Sequence, residues 1–117
     1  MVTYLDLVKP PLDVEDDGFD PELTMYVNSA ISSAVQIGVT EFEGVVVKSD
    51  TLWPDFTDRP VLDALCRSYV TLKVKRLFDP TASATIAKAF SDEVGELEFR
   101  IQTECERLSA LETPEEV

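Results

Sequence analysis

The sequence has 117 residues, of which 44% are hydrophobic, and this is enough for one domain with its own core. Ten basic and 23 acidic residues give a formal net charge of −13, so the chain is not expected to bind nucleic acid by neutralising phosphates. The absence of histidine excludes Ser-His-Asp and Cys-His catalytic arrangements and removes the commonest general base and metal ligand.

The first segment, residues 1–19, is predicted to be irregular because Pro10 and Pro11 interrupt any helix there. Its first nine residues lack a basic stretch followed by an apolar run, so a secretory signal is not expected. The segment ends in an acidic, turn-prone stretch. The pattern Asp13-x-Glu15-x-Asp17-Gly18 resembles half of a calcium loop, but Thr24 stands where such a loop needs glutamate. A solvated acidic turn without a metal is therefore the prediction.

The first main helix is predicted over 21–37. Asp20 is its expected N-cap, Pro21 suits the first helical position, and Gly38 suits the end. Apolar residues recur at steps of three and four, as on one face of a helix; they are Leu23, Val27, Ala30, Ala34 and Ile37.

Residues 39–57 lack a helical period and are predicted to form an extended loop. The β-branched run Val45–Val47 suggests a short strand within it. Trp53 and Phe56 are the candidate loop anchors. A connection of this length is unusual in a small domain, which suggests contacts with another molecule.

The second and third main helices are predicted over 59–78 and 83–111. Asp58 and Ser83 are their expected N-caps. Apolar residues occur on more than one side of the second helix, which indicates burial on several sides. The third helix is on the order of 40 Å long, which is more than a small domain needs, so part of it is expected to reach a neighbour. Its expected apolar stripe consists of Ile86, Phe90, Val94, Leu97, Ile101, Leu108 and Leu111.

The predicted fold is thus mainly α, a single helical domain over 20–112 with an irregular N-terminal segment and a tail over 113–117. Cys66 and Cys105 fall in the second and third helices. Two buried thiols in a reducing cytosol are the preferred interpretation, with one disulfide as the alternative. No run of about 18 apolar residues occurs, so no membrane span is expected.

Charge is distributed unevenly along the chain. Residues 59–78 carry five basic groups and one acidic group, in a chain that is otherwise strongly acidic. Either the basic residues form an ordinary exposed helix face, or they meet carboxylates of a neighbouring subunit across an interface. The candidate assembly residues are Arg67, Lys73, Lys75, Arg76, Glu96 and Glu104. No nucleophile, phosphate-binding loop or metal cage is recognisable, so neither an enzyme nor a cofactor is predicted.

The run from Tyr69 to Pro80, YVTLKVKRLFDP, resembles a hallmark of the head–tail connector (adaptor) proteins of tailed bacteriophages, similar to that of the lambda-like phage HK97. The order of parts over about 20–110 is also similar: a helix ending in Gly38, a variable loop, the hallmark helix and a long helix. The resemblance implies a virion neck protein assembled in the host cytoplasm. It implies a ring, usually a dodecamer, bound to the portal protein and to the next neck or tail-terminator protein. Genomic DNA would pass through the ring without specific binding.

Two alternatives remain open from the sequence. One is another neck or tail-completion subunit of similar size. The other is an acidic inhibitor that mimics DNA and binds a host enzyme, which the charge of −13 would suit. Such an inhibitor would be a monomer or dimer with no affinity for a portal.

Overall fold

A computed structural model describes residues 2–80 and 83–112 of the chain. The mainly helical fold with a long C-terminal helix is confirmed, and the three main helices match their predicted bounds to within one residue. The predicted tail at 113–117 lies outside the described residues. In the described part the α-helices are α1 (Tyr4–Leu12), α2 (Asp20–Gln36), α3 (Pro60–Phe78) and α4 (Ala84–Glu112), with a 3-10 turn at Thr40–Phe42.

The helix α3 is the centre of the fold and packs against α1, α2 and α4. Burial on several sides, which its sequence predicted, is therefore confirmed. The described part of the chain is elongated, measuring 55 × 35 × 20 Å. The buried residues of α3 are Leu62, Leu65, Cys66, Tyr69, Val70 and Val74.

The prediction for the N-terminal segment was wrong. Residues 1–19 were expected to be irregular, yet Tyr4–Leu12 forms α1 with Pro10 and Pro11 inside it. Pro10 and Pro11 lack the N–H groups that would donate to the carbonyls of residues 6 and 7, and burial of the opposite end of α1 against the core offsets that loss. The buried side chains of α1 are Tyr4, Leu5 and Val8.

The N-terminus of α1 is fixed by a capping box. The Thr3 hydroxyl accepts from the Asp6 N–H at 3.0 Å, and the Asp6 carboxylate accepts from the Thr3 N–H at 3.0 Å. These hydrogen bonds from Thr3 lower the pKa of the Asp6 carboxyl. Thr3 also pairs with Leu52 in an isolated β-bridge, which ties α1 to the loop before α3.

Two of the three expected N-caps are wrong. Helix α2 begins after Phe19 and α3 after Arg59, and neither has a side-chain cap. Asp20 is instead the partner of Lys9, which lies 2.6 Å away. At α4 the prediction holds, because the Ser83 hydroxyl accepts from the Ile86 N–H at 3.3 Å.

The loop between α2 and α3 is folded onto the core. Val45–Val47 forms no strand among the residues that the structure describes. The Val47 N–H instead donates to the Asn28 side-chain oxygen at 2.8 Å, and the Asn28 amide donates to the Val47 carbonyl at 3.1 Å. The Asn28 side chain on α2 thus takes the place of a neighbouring strand as the hydrogen-bond partner of the loop backbone.

Helix α4 is buried only along its middle. Val94, Leu97, Ile101 and Cys105 are buried, and Cys105 continues the stripe beside Glu104. The expectation that the whole stripe is core was wrong at its ends, where Ile86 is 50% and Leu111 69% exposed.

Cys66 and Cys105 are both buried free thiols, so the disulfide alternative is not realised. Burial raises the pKa of each thiol, which makes both poor nucleophiles. In the described part of the chain, no helix combines the length and apolar character that crossing a bilayer requires.

Candidate assembly surfaces

Lys73 lies at the junction of three helices and is already engaged. Its ammonium group donates to the Ser33 hydroxyl on α2 at 3.2 Å and lies 5.4 Å from the centre of the Tyr69 ring. The Tyr69 hydroxyl in turn donates to the Glu98 carboxylate on α4 at 2.8 Å. Burial, followed by this contact with Glu98, raises the pKa of the Tyr69 phenol. Lys73 therefore links α2, α3 and α4 within one chain.

Arg67 and Lys75 line a groove between α1, α3 and α4 with a volume of about 510 Å³. Arg67 is partly committed, since it pairs with Asp63 at 3.0 Å and lies 5.6 Å from the Trp53 ring. Lys75 has no ion-pair partner in the part of the chain that the structure describes. The other residues lining this groove, named here the basic-rim groove, are Leu7, Pro11, Ser68, Thr71, Leu72, Glu93 and Leu97.

Arg76 is exposed in the last turn of α3. Like Lys75, it forms no ion pair with any described residue. Its position at the negative end of the helix dipole is favourable for a cation. Arg76 is thus a free positive charge at one tip of the fold.

The two candidate carboxylates on α4 differ. Glu96 is exposed and forms no ion pair with a described residue. The Glu104 side chain is only 12% exposed, and its carboxylate accepts two hydrogen bonds from Arg107, at 2.7 and 3.0 Å. These bonds lower the pKa of Glu104. Only Glu96 is available to a neighbour without breaking an existing contact.

The six predicted residues therefore do not form one patch. Arg67 and Lys75 share a groove, Lys73 faces α2, and Arg76 lies at the helix end. The helical period predicts that Lys73 and Arg76 share a side of α3 and that Lys75 points away, and contacts with the neighbouring helices separate Lys73 further from Arg76.

Trp53 and Phe56 anchor the loop to the chain's own core. They are 8% and 5% exposed and pack in an aromatic cluster with Tyr4 and Phe42, whose ring centroids lie 5.1 to 6.2 Å apart. The Trp53 indole N–H donates to Asp63 at 2.8 Å. The two aromatic side chains are thus occupied within the chain.

The acidic turn before α2 is organised by a lysine. The Lys9 ammonium lies 2.6 Å from Asp20 and 3.6 Å from Asp17, and it donates to the Asp16 carbonyl at 3.1 Å. The hydrogen bond with Asp20 raises the pKa of Lys9. Among the described residues no group of three or more potential metal ligands comes together.

Sequence reasoning missed two apolar features of α4. A second groove, about 260 Å³, opens between α3 and the start of α4 and is named here the apolar groove. On the other side of the helix Phe99 is 69% exposed. Its departure from the three-and-four stripe was the available signal. The apolar groove is lined by Leu72, Ile86, Ala89, Phe90 and Glu93.

Comparison with known families gives one result. A family model described as phage connector protein matches residues 5–108, from the first turn of α1 to the last turns of α4. Searches of the curated proteins and of the solved structures gave no significant match.

Proposed function

This chain belongs to the phage connector protein family, and from that premise we propose that it is the subunit of a ring below the portal of a tailed bacteriophage. Membership makes it a structural component of the virion that assembles with other head or tail proteins. The match over 5–108 is the observation that carries the proposal, because it covers all four described helices. The ring would extend the DNA channel and present a docking surface to the next neck or tail-terminator protein.

The surface of the chain suits repeated contacts between copies. Free cations and free carboxylates lie at different places, with Lys75 and Arg76 on α3 and Glu96 on α4. Contacts between two different patches close into a ring when the rotation between subunits allows. A dodecamer is the ring size that we propose.

The charge of the chain suits a conduit for DNA. A net charge of −13 repels phosphates, so a duplex would slide past the subunits without being held. Helix α4 adds further exposed carboxylates, including Asp92 and Glu106. In this proposal DNA binds nowhere specifically on the ring.

The docking partners follow from the position of the ring. One rim would meet the portal protein and the other the next neck or tail-terminator protein, in the neck of the virion, after assembly in the host cytoplasm. Arg76 is our candidate for a portal-facing contact, because it is exposed and unpaired within the described chain.

The test is reconstitution on heads. Purified protein is added to packaged heads of the source phage that lack this chain, and the necks are imaged by electron microscopy. We expect a ring of added density at the portal vertex, with twelvefold symmetry. Bare portals at saturating protein, together with tight binding to a DNA-processing enzyme of the host, would favour the DNA-mimic alternative.

A further inference from the structure

Phe99 is an exposed aromatic side chain on α4. It is 69% exposed and is surrounded on its helix face by polar and small residues. Glu96 precedes it by three positions and therefore lies on the same side of the helix. A single exposed aromatic needs no explanation by itself, but this one has a matching feature elsewhere on the chain.

The matching feature is the apolar groove together with the basic-rim groove. Leu72 and Glu93 line both, so the two form one continuous depression. Its apolar half has about 260 Å³, whereas an apolar cavity of roughly 150 Å³ is enough to bind benzene. The depression therefore has room for an aromatic ring.

The charges at the depression suit the surroundings of Phe99. Arg67 and Lys75 line it from α3, and Glu93 lines it from α4. Because Arg67 is paired with Asp63, Lys75 is the cation at the rim that has no ion-pair partner among the described residues. Glu96, on the same side of α4 as Phe99, has no ion-pair partner in the part of the chain that the structure describes.

The two features cannot meet within one chain. Phe99 follows Phe90 by nine residues, and at about 100° per residue the two side chains point to opposite sides of α4. A copy bound at the depression therefore leaves Phe99 of that acceptor free for the next copy. Such a contact is heterologous and propagates from subunit to subunit.

We propose that Phe99 of one copy docks in the apolar groove of the next, with its Glu96 beside the neighbour's Lys75. This inference rests on the proposed ring function and names the contact that builds the ring. It selects Lys75 and Glu96 from the six candidate residues, since Lys73 and Glu104 are engaged within the chain.

The positions for substitution are chosen among exposed side chains. Phe99→Glu removes the docking side chain, and Ile86→Glu places a charge in the groove; both positions are at least half exposed, so the monomer should fold. Met25→Glu is the matched control, because Met25 is 60% exposed on α2. On connector-free heads we expect about a tenfold loss of ring-bearing necks for each of the first two, as for a loss of ~1.4 kcal/mol, and none for the control.

Reversing the charges of Lys75 and Glu96 tests whether the groove is occupied by a second copy of the chain. Lys75→Glu and Glu96→Lys should each reduce ring loading, whereas the double variant should restore it, because every interface then carries the reversed pair. In a second assay, Lys75→Cys combined with Glu96→Cys should give a ladder of cross-linked copies on heads after oxidation. Lys88→Cys with Glu96→Cys is the control pair, and no ladder is expected from it.

The outcomes separate this inference from the proposed function. Rings of the Phe99→Glu and Ile86→Glu variants at the wild-type level would overturn the docking contact and leave the connector function standing. Cross-linking of the Lys75→Cys variant to the portal instead of to a second copy would also overturn it. Failure of the wild-type chain to load on any head would overturn the proposed function itself.

Discussion

The two longest helices use their lengths in opposite ways. Helix α3 has 19 residues and buries six of them against three other helices. Helix α4 has 29 residues, yet among its described side chains only Val94, Leu97, Ile101 and Cys105, in the middle, are buried. The longer helix therefore contributes less to the core per residue.

The difference shows what a helix beyond the needs of the core provides. An extra turn of α4 adds about 5.4 Å of length, and outside 94–105 those turns gain little from packing within the chain. They do supply surface, including exposed Ile86 and Leu111 at the two ends. We interpret α3 as the helix that holds the fold together and α4 as the helix that provides surface for contacts with neighbouring subunits.

The largest expected effect tests the buried middle of α4. Leu97 is 4% exposed, so Leu97→Asp should unfold or aggregate the chain, because it removes an apolar side chain and buries an unpaired charge. Phe99→Asp, two residues away and exposed, should change the free energy of unfolding by no more than about 0.5 kcal/mol. Urea denaturation followed by circular dichroism checks both. Equal stabilities of the two variants would show that α4 has no buried side.

The next effect tests whether α1 belongs to the core around α3. Tyr4 is fully buried in the aromatic cluster, and Tyr4→Ala should cost about 3–5 kcal/mol, as for other large aromatic truncations. Leu12→Ala, near the other end of α1 and only partly buried, is the control and should cost less. A small, equal effect of both would indicate that α1 packs only loosely.

The helices around α3 were largely predictable, because periodic apolar residues, Gly38 and Pro60 mark them in the sequence. Helix α1 was not, since local rules give Pro10 and Pro11 more weight than the burial of Tyr4, which only tertiary packing creates. The N-cap predicted at Asp20 was wrong for a similar reason, because Asp20 pairs with Lys9, a residue of another helix.

The candidate surface was less predictable than the fold. The sequence identifies which residues carry charge but not which charges are already paired. Lys73 donates a hydrogen bond to Ser33, forty positions away in the sequence, and no local sequence pattern predicts such a contact. Phe99 was not predicted as a contact residue because the apolar stripe of α4 was used to locate the core. A side chain outside that stripe is not expected to pack within the chain.

A smaller effect concerns the pair at the C-terminal end of α4. The pKa of Glu104 is lowered by its hydrogen bond from Arg107, so this pair stabilises the fold above the ordinary carboxyl pKa. The contribution is lost as the pH falls through the lowered value. Arg107→Ala should lower the stability slightly near neutral pH, and the difference from wild type should disappear in acid, once the pH is below the lowered pKa of Glu104. A difference independent of pH would assign the loss to packing instead.

A similarly small effect is expected in a comparison of two cations of α3, which the sequence alone does not distinguish. Lys73 contacts Ser33 and the Tyr69 ring, so Lys73→Ala should cost about 0.5–1 kcal/mol through the lost cation–π contact and hydrogen bond. Arg76 is exposed and unpaired among the described residues, so Arg76→Ala should change stability by less than about 0.5 kcal/mol. Thermal and urea unfolding of the two variants measure the difference. On connector-free heads the ranking should reverse, because a free cation loses an intermolecular partner while a committed one has none to lose. If Lys73→Ala impaired loading more than Arg76→Ala at equal stability, the tip of α3 would not be the portal-facing contact.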